Sequence, residues 1–203
     1  MLISMYCTKI IIILSLLSLT ACSQHIGQEY DETSVQSEDL TSNPESEIRL
    51  YQQAIMHLRD NDLDMAKNIL VAFTKKRPEL AGPWANLGLI KIKNNDLDAA
   101  ERLLKTALEK NPKMAQAFNL LGLIENKREN LQQAKEFYIQ AIQYKNDYAV
   151  AHYNLALLYD TYFQEIEKSI LHYQRYLELI DYSDQETIDW LDELKLSLKK
   201  KSS

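Results

Sequence analysis

The chain has 203 residues, of which 46% are hydrophobic and 26% are charged, and its formal net charge is -6. This acidic balance excludes the broad basic field that drives nucleic-acid binding. With only four glycines and two cysteines, the chain also lacks the residues for a glycine-rich phosphate loop or a Cys-x-x-Cys zinc or redox site.

Residues 1–21 are predicted to be a secretory signal peptide. Lys9 precedes a largely apolar run over residues 10–19, which is shorter than the roughly 20 apolar residues of a transmembrane helix. The sequence Leu-Thr-Ala-Cys at residues 19–22 resembles the lipobox of bacterial lipoproteins. The resemblance implies cleavage before Cys22 and lipidation of Cys22, so that the protein is anchored to a membrane. An ordinary cleaved signal peptide with an incidental cysteine is the alternative.

The residue after the lipidation site bears on location. In lipoproteins of Gram-negative bacteria, an aspartate there resembles the inner-membrane retention signal, so Ser23 favours the outer membrane, with the fold facing the periplasm. Cys7 would leave with the signal peptide and Cys22 would carry lipid. The mature fold is therefore predicted to contain no disulfide and no free thiol.

Residues 22–46 are predicted to be the lipidated cysteine followed by a disordered acidic tether. From residue 23 onward this segment has six acidic residues, no Lys or Arg, and few large apolar side chains. It cannot bury enough apolar surface to offset the entropy lost on ordering. A flexible chain of about 24 residues spans roughly 27 Å, which would separate the fold from the lipid headgroups. Direct recognition of a partner by this acidic segment is the alternative.

A period of about 34 residues organises residues 47–183. Small residues recur in two series, Ala54, Gly88, Gly122 and Ala156, and Ala66, Ala100, Ala134 and Ser169. Small residues at a fixed period indicate closely packed helix pairs stacked as a solenoid. The segment is therefore divided into four units, 47–80, 81–114, 115–148 and 149–183, and the last has one extra residue between its helices.

The units resemble the tetratricopeptide repeat (TPR), whose pattern is Trp-x2-Leu-Gly-x2-Tyr, then Ala-x3-Phe, then Pro. The second unit matches this pattern at Trp84, Leu87, Gly88, Ala100, Leu104, Ala107 and Pro112. His57, Lys91 and Glu125 stand at the place of the tyrosine in the first three units. The resemblance implies an all-α fold, a TPR solenoid in which antiparallel helix pairs form a right-handed superhelix.

Residues 184–203 are predicted to form a C-terminal capping helix and a Lys-rich tail. Ser183 and Glu186 have capping-box spacing, and the apolar residues that follow, Ile188, Leu191, Leu194 and Leu198, lie on one stripe. Such a helix covers the apolar face that a last repeat leaves open. A docking helix for a partner is the alternative.

No catalytic, metal or cofactor site is predicted. The four histidines, His25, His57, His152 and His172, lack metal-ligand spacing, and no Gly-x-Ser-x-Gly motif occurs. Carboxylates are scattered over the helix faces, which is typical of solvated charge. We therefore predict a protein that is not an enzyme and that needs no cofactor.

In TPR proteins the first helix of each pair lines a concave groove, and the resemblance implies a peptide-binding groove here. Carried over by repeat position, its residues are Tyr51, Ile55, Ala85, Asn86, Leu89, Asn119, Leu123, Asn126, Tyr153, Asn154 and Leu157. Their amides can bind a peptide backbone, and their apolar side chains can contact its side chains. Core packing is the alternative for several of them, above all Leu89 and Leu157. The cations of the family's dicarboxylate clamp are missing.

These features predict a non-enzymatic, membrane-anchored TPR scaffold or adaptor that binds a peptide segment of a bacterial envelope protein. The layout is similar to that of the pilotin lipoproteins, which place type IV pilus secretins in the outer membrane. It is also similar to TPR lipoproteins that act as adaptors for cell-wall hydrolases and a periplasmic protease. A pilotin-like assembly factor for a pilus or secretion-system secretin is one alternative, and a homodimerising structural lipoprotein is another.

Overall fold

The computed structural model describes residues 43–201, and this part of the chain is all-α. Its helices are α1 (Pro44–Arg59), α2 (Leu63–Lys76), α3 (Ala81–Lys93), α4 (Leu97–Lys110), α5 (Ala115–Lys127), α6 (Leu131–Tyr144), α7 (Ala149–Leu158), α8 (Ile166–Leu179) and α9 (Gln185–Lys201). Each helix packs on the next in the chain, and α3, α5 and α7 also contact one another in sequence. The predicted all-α class is confirmed for these residues.

The predicted signal peptide, Cys22 and most of the predicted tether lie outside the described residues. The prediction extends the tether to residue 46, but α1 already begins at Pro44. The Asn43 side chain accepts a hydrogen bond from the Glu45 N–H at 3.1 Å, and Pro44 fixes the backbone angle of the first turn. Within residues 43–201, no helix is both long and apolar enough to cross a bilayer.

One turn geometry joins the two helices in each of the first three units. Asn61, Asn95 and Glu129 have φ values of 61°, 58° and 63°, in the left-handed region that closes many helices. The next N–H then donates to the carbonyl five residues earlier, as in the bond from Asp62 to His57 at 2.8 Å. This is the six-to-one bond of the Schellman motif, and it turns the chain directly into the second helix.

A side-chain pair also holds each of these turns. The pairs are His57–Asp62, Lys91–Asp96 and Glu125–Asn130, with contacts of 3.0, 2.9 and 2.7 Å. The first member always stands at the place of the TPR tyrosine. In the first two pairs an imidazole or a lysine contacts a carboxylate, and in the third pair the Asn130 amide donates to the Glu125 carboxylate. No pair therefore brings two carboxylates together. This contact explains what replaces the tyrosine in these units.

The extra residue of the fourth unit widens a helix turn. Tyr159–Phe163 forms a π-helical turn at the end of α7, and the Gln164 N–H donates to the Tyr159 carbonyl. Gln164, with φ of 54°, then takes the left-handed position. A π-turn accommodates one more residue than an α-helical turn, because its hydrogen bond spans five residues instead of four. The repeat pattern predicts this residue between the helices, but it lies in the last turn of the first helix, and Ser169 is still fully buried.

An arginine network joins the second and third units. The Arg128 guanidinium contacts Asp98, lies 2.7 Å from Glu101 of α4, and lies 2.9 Å from Glu125 of α5. These carboxylates hold the pKa of Arg128 above its usual value. Glu125 is only 5% exposed, so the interpretation of all carboxylates as solvated charge is wrong for this residue. Its charge is buried at a repeat boundary and compensated there.

Two histidines form a pair inside the fourth unit, with His152 buried and His172 partly buried. His152 Nε2 lies 3.1 Å from the Asn146 carbonyl oxygen, which can only accept, so this nitrogen carries the proton. His152 Nδ1 therefore accepts from the Nδ1–H of His172, 3.0 Å away. Burial lowers the pKa of both rings, and together with the adjacent His152 it lowers the pKa of His172 to about 4. The pair is neutral at pH 7 and packs α7 against α8.

Helix α9 closes the described end of the helix stack. Leu191 and Leu194 are buried in one cluster with Ala156, Tyr173 and Leu177 from α7 and α8. Asp184 precedes the first residue of the helix, and its Oδ1 accepts from the Thr187 N–H at 3.1 Å. The capping residue is thus Asp184 instead of the predicted Ser183, because the helix starts one residue later than the capping-box spacing requires.

Candidate peptide-binding groove

The first helices of the four units carry a row of aliphatic side chains at one repeat position. The row, here called the aliphatic row, consists of Ile55, Leu89, Leu123 and Leu157. The first three are partly buried, and Leu157 is 40% exposed. Leu89 and Leu123 also pack against the core of the second and third units. Ile55, Leu89 and Leu123 therefore pack partly against the core and leave part of their surface exposed.

A polar position beside the aliphatic row links successive first helices. The Asn86 Nδ2 donates to the Tyr51 hydroxyl oxygen at 2.8 Å, and Gln116 Nε2 donates to Asn86 Oδ1 at 2.8 Å. Further along, Asn154 Nδ2 donates to Asn119 Oδ1 at 3.0 Å. The structure thus brings two pairs of predicted groove residues, Tyr51–Asn86 and Asn119–Asn154, together across the unit boundaries.

Burial limits what these amides can do for a ligand. Asn86 and Asn119 are 4% and 3% exposed, so their role in this structure is to position the first helices. Burial also raises the pKa of Tyr51, and its neutral hydroxyl accepts from Asn86 while its own proton remains available for donation. A Cβ at Gly82 would lie 2.5 Å from this hydroxyl oxygen. Glycine at this position therefore avoids a steric clash with the Tyr51 side chain.

The remaining predicted residues divide between core and surface. Ala85 is fully buried and is therefore a core residue. Asn126 is partly buried, and its Oδ1 has no hydrogen-bond partner among residues 43–201. Tyr153 packs edge-on against Tyr173 with ring centroids 5.8 Å apart. The surface available to a partner is therefore the outer side of the aliphatic row, with Tyr51 and Tyr153 at its two ends.

A cavity lies near each end of this surface. The N-terminal cavity, of about 870 Å³, is bounded by α1 and by the loops after α2 and α4, and its lining includes Tyr51, Phe73, Arg77, Gly82, Lys110 and Met114. The C-terminal cavity, of about 410 Å³, lies among α7, α8 and α9 and is lined by Tyr153, Leu157, Tyr173, Asp184, Glu186, Thr187, Asp189, Trp190 and Glu193. We call the aliphatic row and these two cavities the groove face.

The C-terminal cavity could not be foreseen from the repeat pattern. Its lining comes from three helices, and the sequence pattern identifies the α9 residues only as part of a cap. The one sequence feature that could have indicated the cavity was the group of acidic residues Glu186, Asp189 and Glu193 close to Trp190 in the segment that forms α9. Among residues 43–201, no three His, Cys, Asp or Glu side chains are placed to hold a metal ion, so the acidic lining does not form a recognisable metal centre.

The family model described as "Tetratricopeptide repeat protein 21 C-terminal ARM domain" matches residues 14–171. No curated protein matches the sequence significantly. Among solved structures, the fold is similar to that of PilF from Pseudomonas aeruginosa, with a TM-score of 0.65 and 16% identity over 77% of this chain and 70% of that chain.

Two further structures show the same fold. A TPR protein of Thermus thermophilus gives a TM-score of 0.63 with 20% identity, covering 76% of this chain and 84% of that one. The first TPR domain of Spaghetti (RPAP3), bound to the HSP90 peptide SRMEEVD, gives a TM-score of 0.53 with 17% identity. The match covers 59% of this chain and 95% of that chain. Identities this low show the fold alone, and they confirm the predicted TPR-like solenoid.

Proposed function

The chain belongs to the family of the tetratricopeptide repeat protein 21 C-terminal ARM domain, and from this membership we propose that it is a lipid-anchored scaffold whose groove face binds a peptide segment of an envelope protein. A TPR fold is that of a protein-binding scaffold, and one structural neighbour holds a peptide. The lipobox-like sequence at residues 19–22 supports the membrane anchor.

The aliphatic row carries the peptide-binding proposal. Helices that pack on one another lie about 8 to 10 Å apart, and α3, α5 and α7 contact one another in sequence, so Leu89, Leu123 and Leu157 offer one apolar contact at each such step. An extended polyproline II segment rises about 3.1 Å per residue and repeats every three residues, which gives about 9 Å between side chains on one face. The row therefore suits an extended peptide with an apolar side chain at every third residue.

Selection of peptides tests this function. Random dodecapeptides displayed on phage are selected on the full chain, and we expect enrichment of apolar residues three positions apart. The variant Leu123→Gln/Leu157→Gln is expected to bind the selected peptides about tenfold more weakly, because it removes two apolar contacts of the row. Affinity is measured by fluorescence anisotropy of the labelled peptides.

The control variant, Leu171→Gln/Leu196→Gln, replaces two leucines that are 62% and 59% exposed on α8 and α9 and that line neither cavity. It is expected to bind like the wild type. Failure to enrich any peptide, or equal loss of affinity in both double variants, would contradict binding at the groove face.

Lipidation is tested separately at Cys22. Expressed as the full chain in a Gram-negative host, the protein is expected to begin at Cys22, to carry acyl chains and to fractionate with the outer membrane. Several acyl chains are needed for durable anchoring, since one alone binds only marginally. Mass spectrometry of the N-terminal peptide gives the measurement. Cys22→Ser is expected to abolish acylation and Cys7→Ser to preserve it, whereas an unacylated wild-type terminus would remove the anchor from the proposal.

The layout of lipobox, acidic tether and repeats also favours a second candidate, a pilotin-like assembly factor for a secretin. Under that function, deletion of the gene should remove assembled secretin multimers from the envelope while leaving secretin monomers. A homodimerising structural lipoprotein is the further alternative, and a solution mass of twice the 23.6 kDa of the chain, less any cleaved signal peptide, would support it.

A further inference from the structure

The lining of the C-terminal cavity of the groove face combines aromatic rings with carboxylates. Leu157, the last member of the aliphatic row, lies in its wall together with Tyr153, Tyr173 and Trp190. A volume of about 410 Å³ falls at the low end of the roughly 300 to 1,000 Å³ typical of ligand sites. The cavity is thus continuous with the surface on which we place the peptide, and it can receive one large side chain.

The aromatic rings in this cavity are held in place by contacts within the protein. The Trp190 indole N–H donates to Asp160 Oδ2 at 2.9 Å, which fixes the ring although 45% of the residue is exposed. The Tyr153 ring contacts Tyr173 and also Tyr176, with centroids 5.0 Å apart in the second contact. Rings fixed before binding lose little entropy when a ligand arrives.

The cavity lining contains four carboxylates and no cationic side chain. The carboxylates belong to Asp184, Glu186, Asp189 and Glu193. None of the four forms an ion pair within the described part of the chain, unlike the carboxylates gathered around Arg128. Hydrogen bonds from Thr187, the larger cause, and from Tyr176 lower the pKa of Asp184. Carboxylates around aromatic faces attract a cation.

We infer that this cavity receives an arginine side chain of the bound peptide, placed next to the apolar residue that contacts Leu157. Arginine fits better than lysine, because its planar guanidinium can stack on the Trp190 indole and also pair with two carboxylate oxygens. The inference rests on the proposed peptide-binding function and names the chemistry of the partner: an extended apolar segment that carries a basic residue at one end.

The test uses the same displayed dodecapeptides and the full chain. On wild-type protein we expect arginine to be enriched at a fixed distance from the apolar residues. Replacing this arginine by glutamine in a selected peptide should weaken binding about tenfold, as expected for a charged contact in a partly desolvated site. The same replacement should have little effect on binding to Glu186→Gln/Glu193→Gln, because in a double-mutant cycle contacting partners are not additive.

A matched control separates local charge from net charge. Glu109→Gln/Asp147→Asn removes the same two charges from exposed positions that do not line the cavity, and it should keep the full preference for arginine. A second readout is the emission of Trp190 in a Trp84→Phe background, which should change when the arginine peptide binds and remain unchanged with its glutamine counterpart.

The results of these experiments distinguish the arginine site from the proposed binding of a peptide at the aliphatic row. Enriched peptides without a basic residue, or an arginine preference that survives Glu186→Gln/Glu193→Gln, would overturn the arginine site and leave peptide binding at the aliphatic row intact. A preference for lysine equal to that for arginine would overturn the stacking geometry. Absence of any enriched peptide would overturn both the proposed function and this inference.

Discussion

Replacement of Gly122 by alanine is expected to lower the free energy of unfolding by about 2 kcal/mol, although alanine favours a helix more than glycine does. A Cβ atom at this position would lie 2.5 Å from Cε1 and 2.6 Å from Cδ1 of Tyr138. The Tyr138 ring is almost completely buried and cannot withdraw, so α5 and α6 would have to separate. Urea unfolding followed by circular dichroism measures the loss.

The second unit supplies the control for this prediction. A Cβ at Gly88 would lie 3.0 Å from two carbon atoms of Leu104; Leu104 is buried as well, but this longer approach requires a smaller shift than the approach to the Tyr138 ring. The gain in helix propensity of about 1 kcal/mol then offsets most of the strain in Gly88→Ala. Adding Tyr138→Leu to Gly122→Ala should recover stability relative to the sum of the single changes. Equal stability of the two glycine variants would contradict the steric explanation.

Replacement of Arg128 by methionine is expected to lower the free energy of unfolding by about 2 to 3 kcal/mol, because it leaves a buried carboxylate uncompensated. Methionine keeps the aliphatic stem but removes the guanidinium that contacts Asp98, Glu101 and Glu125. The buried Glu125 would keep only its 2.7 Å hydrogen bond from Asn130 and would face Glu101 directly. Thermal and urea unfolding at pH 7 provide the measurement.

An exposed ion pair gives the comparison. Arg175 contacts Glu178 at 3.0 Å, and the two side chains are 42% and 50% exposed, so Arg175→Met should change the stability by less than about 1 kcal/mol. Adding Glu125→Gln to Arg128→Met should restore part of the loss, because the buried group is then uncharged. A similar loss in the two arginine variants would show that the repeat boundary does not depend on this buried charge.

The fold could be predicted from the sequence because its main determinant is the size of a few side chains. Gly88 and Gly122 permit close helix contact only where a side chain is absent, and the period at which they recur fixes the unit length. Asn95 likewise indicated a turn, since asparagine tolerates the left-handed backbone that it adopts, with φ of 58°. Short-range steric requirements of this kind are visible in a one-dimensional pattern.

The polar contacts could not be predicted, because they depend on partners far apart in the chain. Asn86 could have been a ligand for a peptide or a link between helices, and only its contacts with Tyr51 and Gln116 decide between these roles. The acidic cavity forms only where α7, α8 and α9 pack together, so the sequence alone does not show that Trp190 and Glu193 line the same cavity as Tyr153. Residue type alone does not specify such convergence.

The pairs that hold the turns, His57–Asp62, Lys91–Asp96 and Glu125–Asn130, have an evolutionary consequence. If the units arose by duplication, a reversal of charge at one member of a pair would set like charges side by side unless its partner were already uncharged, as Asn130 is. Divergence between copies must have proceeded through neutral intermediates or coupled substitutions. The copies are therefore no longer interchangeable one residue at a time, and an averaged repeat sequence that mixed Glu125 with Asp96 would repel itself at every turn.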